Sequence, residues 1–241
     1  MSLLVKFDMW HRCARQYQWL YYFSTFLRIV LAVGFLPSGL VKILGERFTA
    51  LSNNHPLGHY LQALHETGYY YTFIGILQVL AAVLLLIPRT ATVGAFIYFP
   101  IILNICVLSL SVGFDGSLVT SPLMVLGCLF LICWDFHKWK FIFGGPIPGA
   151  EIYAKENRTR RFPWLFFLGV FIAISLVLVS ARFAYTLKPR NTIADCMTQC
   201  EDAANPEACE TFCDCIHEQG KPYDVCLEAY KKSLKSPSHE H

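Results

Sequence analysis

The hydrophobic positions of this 241-residue chain fall into five long apolar stretches. A helix that crosses about 30 Å of hydrocarbon needs about 20 mostly apolar residues, and the stretches reach or approach that length. The pattern therefore predicts an all-α integral membrane helical bundle. The predicted spans cover approximately residues 20–44, 71–87, 91–112, 122–136 and 164–185. Only three residues separate the second span from the third, which predicts a tight antiparallel hairpin.

Composition narrows the class of protein further. Hydrophobic residues make up 55% of the chain and charged residues 15%, whereas soluble domains carry about 25% charged residues. These values exclude a disordered chain, a collagen-like chain and a coiled coil, and they disfavour an ordinary water-soluble enzyme. The sequence contains no phosphate loop, dinucleotide-binding glycine motif, His-Glu-x-x-His motif or nucleophile elbow. No motif therefore identifies a catalytic site.

Charge is divided unequally along the chain, and this division predicts the orientation. Residues 1–186 have a net charge of +7 and residues 187–241 of −4. With five spans, most basic loop residues lie on one side, which the positive-inside rule assigns to the cytoplasm. We therefore expect a bacterial inner membrane protein in contact with the lipid bilayer, with a cytoplasmic N-terminus and a periplasmic C-terminal domain.

The spans and charges together divide the chain into five regions. They are a cytoplasmic N-terminal segment (1–18), a four-helix transmembrane bundle (19–140), a basic cytoplasmic loop (141–162), a fifth transmembrane helix (163–186) and a Cys-rich extracytoplasmic helical domain (187–241). The basic loop is expected to follow the anionic inner leaflet, so no nucleic-acid partner is needed to explain its charge.

Six of the ten cysteines follow Arg190 and form a regular pattern. Cysteines four residues apart share a helix face, and Asn205-Pro206 separates two such pairs, which predicts a helical hairpin over 192–203 and 206–218. A third helix is predicted over 222–234. Nested disulfides Cys196–Cys213 and Cys200–Cys209, with Cys215–Cys226 beyond them, fit this hairpin, although six cysteines allow 15 connectivities. A redox-active pair at Cys213 and Cys215 is an alternative, whereas the spacings fit zinc poorly.

Ionisable and polar residues at membrane depth are expensive and are candidates for function. The candidate site residues are Arg28, Ser38, Lys42, Glu46, Gln78, Asn104, Asp115 and Asp135. We expect two charge layers, one that pairs Arg28 with Asp135 and one that pairs Lys42 with Asp115 or Glu46. These layers either fix the bundle without chemistry or form a site for a substrate, a quinone or a proton. Gln78 and Asn104 are expected to form interhelical hydrogen bonds.

The loop after the first span predicts a short amphipathic helix. Leu57, Tyr60, Leu61 and Leu64 share one face of it. Three interpretations are open: an interfacial helix, a lid over a pocket near Lys42, or a metal site formed by residues of the opposite face. The residues of that candidate metal site are His55, His59 and Glu66.

Residues 20–140 resemble the DoxX family of small membrane proteins. The stretch from Arg28 to Lys42, with its Ser-Gly pair at Ser38, resembles the first helix of that family. Gln78 and the run 84–89 resemble its second helix and turn, and Asp115-Gly-Ser followed by residues 122–135 resembles its last hairpin. The resemblance implies a four-helix transmembrane bundle. DoxX relatives include subunits of quinone-linked oxidoreductases, proteins of thiol and oxidant defence, cargo receptors and assembly chaperones.

Three functions follow from these features. The first is a membrane subunit or scaffold that docks a membrane or periplasmic protein partner through the disulfide domain. The second is a component of a quinone-linked or thiol-linked oxidoreductase, with a quinone as the candidate cofactor and Arg28, Lys42 and Gln78 as its contacts. The third is a binder or transporter of a small molecule or lipid.

Overall fold

The computed structural model describes residues 10–49, 51, 55–112, 116–139, 159–183, 187–190, 192–201, 203 and 205–235. These residues form helices and no β-strand, which confirms the predicted all-α fold class. The helices are α1 (Gln18–Ile43), α2 (Pro56–Glu66), α3 (Tyr69–Leu86), α4 (Ala91–Val112), α5 (Thr120–Trp134), α6 (Phe136–Trp139), α7 (Trp164–Phe183), α8 (Ile193–Thr198), α9 (Pro206–His217) and α10 (Tyr223–Lys235). Asp115 and most of the basic loop 141–162 lie outside the described residues.

Four of the helices are long and apolar enough to cross a membrane, namely α1, α3, α4 and α7. The predicted fourth span corresponds to α5, which has only 15 residues. At a rise of 1.5 Å per residue it is about 22 Å long, shorter than a standard span. The chain is therefore a multi-pass membrane protein that contacts lipid, and one of its apolar helices is unusually short.

Helices α1, α3, α4 and α5 pack as neighbours in an up-and-down bundle. Its centre is a stack of Phe35 on Tyr98, with ring centroids 3.6 Å apart, and the Tyr98 hydroxyl donates a hydrogen bond to the Leu31 carbonyl. The predicted hairpin between α3 and α4 is present: a Cβ on Gly94 would lie 2.8 Å from the backbone nitrogen of Leu85. We call the two ends of the bundle the Lys42 end and the Asp135 end.

Two glycines bring α1 and α3 into backbone contact near the Lys42 end. A Cβ added to Gly39 would lie 2.9 Å from the Gly75 carbonyl oxygen, and one added to Gly75 would lie 2.8 Å from the Gly39 carbonyl oxygen. The Cβ on Gly75 would also lie 2.7 Å from the Lys42 Cβ. Small residues at such a crossing allow the helices to approach closely, so this contact sets the geometry around Lys42.

Helix α7 lies beside the bundle and contributes little to its core. Its Phe166 ring contacts Phe23 and Phe130, each at 5.5 Å between centroids. Most of its other large side chains are exposed, Trp164 by 76% and Leu165 by 87%. Because α7 is hydrophobic all round, this exposed surface is a surface for lipid.

The C-terminal helices α8, α9 and α10 form a small domain with its own core. The three disulfides are Cys196–Cys213, Cys200–Cys209 and Cys215–Cys226, which confirms the predicted pairing. Thr192 and Asn205 cap α8 and α9 by accepting hydrogen bonds from backbone N–H groups. Helix α8 ends at Thr198, earlier than the predicted 203. About 45 residues bury little core, so the cross-links are needed for stability.

The contact between α1 and α3 can be tested by substitution of Gly75. We expect Gly75→Ala to lower the free energy of unfolding by about 1–3 kcal/mol, because its methyl group overlaps Lys42 and the backbone of Gly39. The measurement is the apparent Tm of the protein in detergent. The control is Gly169→Ala on α7, where no heavy atom lies within 4 Å of the added methyl. Equal Tm values for the two variants would contradict the packing described.

Candidate functional site

A pocket of about 670 Å³ lies between α1, α3, α4 and α5 at the Lys42 end of the bundle. Its walls are mainly apolar side chains, among them Phe35, Leu77 and Ile101. The polar residues that line it include Ser38, Lys42, Gln78, Asn104 and Ser121. An apolar cavity with a few polar groups, in the range of about 300–1,000 Å³, is typical of small-molecule sites. This pocket is therefore the candidate functional site.

Among the described residues that line the pocket, Lys42 has the only charged side chain, and it is 6% exposed. Its Nζ donates hydrogen bonds to the Ser38 Oγ at 2.7 Å and to the Ser38 carbonyl oxygen at 3.0 Å. The Ser38 hydroxyl in turn donates to the Gln78 Oε1 at 3.3 Å. Three of the predicted site residues are thus joined in one hydrogen-bonded chain across α1 and α3.

Aromatic rings complete the surroundings of the ammonium group. Its Nζ lies 4.3 Å from the Phe48 ring centroid and 5.9 Å from that of Tyr71, within the range of cation–π attraction. The Tyr71 hydroxyl donates to the Glu46 carbonyl oxygen and accepts from the Phe48 N–H, both at 3.0 Å. Tyr71 therefore holds the segment that follows α1 against the lysine.

The expected ion pair between Lys42 and Glu46 is absent. Within the part of the chain that the structure describes, no carboxylate oxygen lies within 4.0 Å of Nζ. The reason is the end of α1: Gly45 has a φ of +73°, and the N–H of Glu46 bonds to the Val41 carbonyl oxygen in a Schellman motif. This turn takes Glu46 off the helix, so it does not lie one turn above Lys42. The other expected partner, Asp115, is outside the described residues.

Helix α2 covers the pocket. The residues of its predicted apolar face, Leu57, Tyr60, Leu61 and Leu64, all line the cavity, which agrees with the lid interpretation. Arg47 donates to the carbonyl oxygens of Leu51 and Gly58, and these bonds tie the lid to the segment after α1. The metal interpretation is not supported, because His55 is buried at the N-terminus of α2 whereas His59 and Glu66 are exposed.

The disulfide domain contacts the start of this lid. The His55 ring lies 5.7 Å from the ring of His217 at the end of α9. The His55 Nδ1 accepts a hydrogen bond from the Leu57 N–H, and the His217 Nε2 donates to the Pro189 carbonyl oxygen at 2.6 Å. Burial and the neighbouring His217 lower the pKa of His55 to about 4. His55 is therefore neutral at pH 7.

The second charge layer lies at the Asp135 end, where Asp135 is 3% exposed. Its Oδ2 lies 3.7 Å from the Arg28 guanidinium, as the sequence predicts. Thr92 donates a hydrogen bond to the same carboxylate at 2.6 Å, and Lys138 at 2.9 Å. Arg15 lies 3.8 Å from the other carboxylate oxygen. Asp135 thus joins four segments of the chain and fixes this end of the bundle.

The chain resembles the protein called "Uncharacterized protein YwoB" from Bacillus subtilis (strain 168). The two are 37% identical over 135 residues, which make up 53% of this chain and 87% of that protein. The chain belongs to the YwoB family. No family model matches it, and no solved structure matches it. The name of the relative states no activity, and the pocket is the feature of this YwoB family member that offers a binding site.

Several residues around the charged groups of this YwoB family member were not among the sequence candidates. Thr92 begins α4 on the face toward Asp135, and Lys138 follows Asp135 by three residues, a spacing that places two side chains on one helical face. The spacing of three residues is therefore a sequence feature that predicts contact between Lys138 and Asp135. The roles of Phe48 and Tyr71 depend on the turn at Gly45, which hydrophobic periodicity does not reveal.

The contact between His55 and His217 predicts a pH dependence. The folded pKa of about 4 lies below the ordinary value of 6.5, so the unfolded chain binds a proton at His55 first as pH falls. The contribution of His55 to stability is therefore full above about pH 6.5 and declines between pH 6.5 and 4. We expect the apparent Tm of the native protein to fall more between pH 7 and 5 than that of His55→Gln. His59→Gln, on the exposed side of α2, is the control and should behave as the native protein does.

Proposed function

We propose that the protein is a membrane-embedded binding protein for an amphiphilic small molecule. The observation that carries this proposal is the pocket of about 670 Å³ below α2. Its apolar walls suit a hydrocarbon chain or an aromatic ring system, and the chain of Lys42, Ser38 and Gln78 offers hydrogen bonds to one polar group. Because α2 covers the cavity with apolar side chains, a bound molecule is separated from water.

The DoxX resemblance of residues 20–140 supports an occupant with the character of a lipid or a quinone, since some DoxX relatives work with quinones. A quinone carbonyl accepts hydrogen bonds, and the Lys42 ammonium and the Gln78 amide are donors at the pocket. Membership of the DoxX family is part of this proposal. Arg28, the third expected quinone contact, lies with Asp135 at the other end of the bundle and is not among the residues of this site.

A thiol relay through the C-terminal domain is a weaker proposal. All six of its cysteines are buried, and all six are disulfide-bonded. Thiol–disulfide exchange requires an attacking thiolate to reach a sulfur atom, and burial of the sulfurs hinders that approach. The disulfides are better explained as structural cross-links.

Partner docking through the disulfide domain is a second candidate function. It is favoured by the rigid core around Phe212 and Ile216, which leaves acidic side chains exposed on α9 and α10. They include Glu207, Glu210, Asp224 and Glu228. A preformed surface loses little conformational freedom on binding, and its charge suits a basic partner. Crosslinking in native membranes through Lys231 and Lys232 tests this candidate, and products limited to lipid would count against it.

The location we propose is a bacterial inner membrane, with the Asp135 end at the cytoplasm and the disulfide domain in the periplasm. The positive-inside rule supports it, because the basic loops join the helices at the Asp135 end. The disulfides support it as well, since they persist in oxidising compartments.

Cys13 offers a test of this orientation, because it is a free and exposed cysteine at the N-terminal side of α1. We expect a membrane-impermeant maleimide to leave Cys13 unlabelled in intact spheroplasts and to label it after permeabilisation. The experiment uses a Cys133→Ser background. The positive control is Ser233→Cys on the exposed side of α10, which should react in intact spheroplasts. Labelling of Cys13 without permeabilisation would reverse the proposed orientation.

The pocket itself can be tested with a photoreactive amphiphile. The probe is a 16-carbon primary alcohol that carries a diazirine, added to the protein in phosphatidylcholine nanodiscs. We expect crosslinks to concentrate on peptides that contain the pocket residues Leu61 and Ile105. Asn104→Trp should reduce this labelling severalfold, because Asn104 lines the pocket and the indole would fill it.

The matched control is Leu103→Trp, whose side chain is 40% exposed and is not among the pocket residues. It should leave the labelling pattern unchanged. A short-chain quinone added in excess should compete for the pocket if quinones are accepted. Labelling spread evenly over lipid-facing helices, such as α7, would refute the proposed binding site.

A further inference from the structure

The direction of the Lys42 side chain is unusual for a lysine in the last turn of a membrane helix. Such a lysine ordinarily extends toward the interface, where its ammonium group reaches water. Here Nζ bonds to Ser38, four residues earlier in α1, so the side chain runs back into the bundle. Lys42 is 6% exposed, and its charge faces the pocket rather than the aqueous phase.

The surroundings of this ammonium group stabilise a cation without neutralising it. Ser38 accepts two hydrogen bonds, and an ammonium group has three N–H donors. The rings of Phe48 and Tyr71 offer only the partial negative charge of their faces. No carboxylate of the described residues pairs with Nζ. A buried charge is costly unless it is paired, so the pocket has a positive charge that an anionic ligand would balance.

The buried charge at the Asp135 end is paired, unlike that of Lys42. There a buried carboxylate is matched by Arg28, Arg15 and Lys138 within the chain itself. The same bundle therefore contains one charged centre that is paired internally and one, at Lys42, whose described neighbours are neutral. Ion pairing explains the first as a structural element, and it does not explain the second.

The rest of the pocket fits a molecule with one anionic end. The Gln78 Oε1 already accepts from Ser38, so its amide NH₂ group remains as a second donor next to Lys42. Beyond these polar groups the walls are apolar, and Leu57, Leu61 and Leu64 of the lid lie over the cavity. Exclusion of water by this lid strengthens electrostatic attraction inside the pocket.

We propose that the amphiphile bound in the pocket is a single-chain lipid with an acidic head group. Its anionic oxygens pair with the Lys42 ammonium and accept a hydrogen bond from the Gln78 amide, while the chain lies along the apolar walls. This inference rests on the proposed binding function and specifies the chemistry of the ligand. A carboxylate and a phosphate monoester are the two head groups that share this chemistry.

The test uses three diazirine probes with the same 16-carbon chain and a carboxylate, a phosphate monoester or a hydroxyl as the head group. The intact protein is placed in nanodiscs of phosphatidylcholine, which has no net charge. We expect the acidic probes to label the pocket peptides about tenfold more than the alcohol, as a charge-assisted hydrogen bond implies. The ratio of carboxylate to phosphate labelling then distinguishes a fatty acid from a lysophosphatidic acid.

Lys42→Met should abolish the preference for the acidic probes while the alcohol still labels the pocket. Lys138→Met, which removes a cation at the Asp135 end, should keep the preference. If Lys42→Met does not fold, as judged by its Tm, competition in the native protein provides the test instead. Oleate should displace the acidic probes at about a tenfold lower concentration than oleyl alcohol does.

Two outcomes separate this inference from the proposed function. Equal labelling of the pocket by the acid and the alcohol in the native protein would overturn the acidic ligand and leave the pocket as a binding site. If Lys42→Met lowers the Tm but leaves the preference for the acidic probes over the alcohol unchanged, the role of Lys42 is structural. That result would also overturn the acidic ligand. Absence of pocket labelling by all three probes would refute the proposed function itself.

Discussion

The close approach of α1 and α3 at Gly39 and Gly75 is the contact on which the candidate site depends. Without side chains at these positions the two backbones meet directly, and Ser38 comes within hydrogen-bonding distance of Gln78. The same absence of a side chain at Gly75 leaves room for the stem of Lys42. Helix packing and the polar end of the pocket therefore both depend on this pair of glycines, and a change that separates the helices would also disrupt the hydrogen bond between Ser38 and Gln78.

The two ends of the bundle use buried charge in different ways. At one end the Asp135 carboxylate forms ion pairs with three cations and accepts a hydrogen bond from a hydroxyl group. These partners come from four segments of the chain, so the buried charge holds those segments in contact. At the other end Lys42 is held by a serine and two rings, and its charge is directed into a cavity. Such groups are costly in lipid and are almost always paired or hydrogen-bonded. For Asp135 the paired cations belong to the described fold. For Lys42, with which no carboxylate of the described residues pairs, we propose that the ligand supplies the anion.

Features that depend on helical periodicity could be predicted from the sequence. The two nested disulfides fit cysteines spaced by four residues on either side of the helix break at Asn205-Pro206, one hypothesis among 15 connectivities that the structure confirms. The approach of Arg28 to Asp135 is expected from the order of the spans. The expected pair of Lys42 with Glu46 assumed that α1 continues through Glu46. The positive φ of Gly45 ends the helix first, and a glycine in a sequence does not show which conformation it adopts. The pocket depends on how four helices pack together, which lies beyond any local pattern.

The position of α9 connects disulfide formation in the small domain with the surroundings of the lid. This helix carries three of the bonded cysteines and ends at His217, which lies against His55, the N-cap residue of the lid. The bonded cysteines all lie in the small domain, which depends on these cross-links for its stability, whereas the described bundle does not. A newly made molecule would therefore have its bundle before the neighbour of its lid is in place. We therefore expect oxidative folding of the C-terminal domain to follow assembly of the bundle.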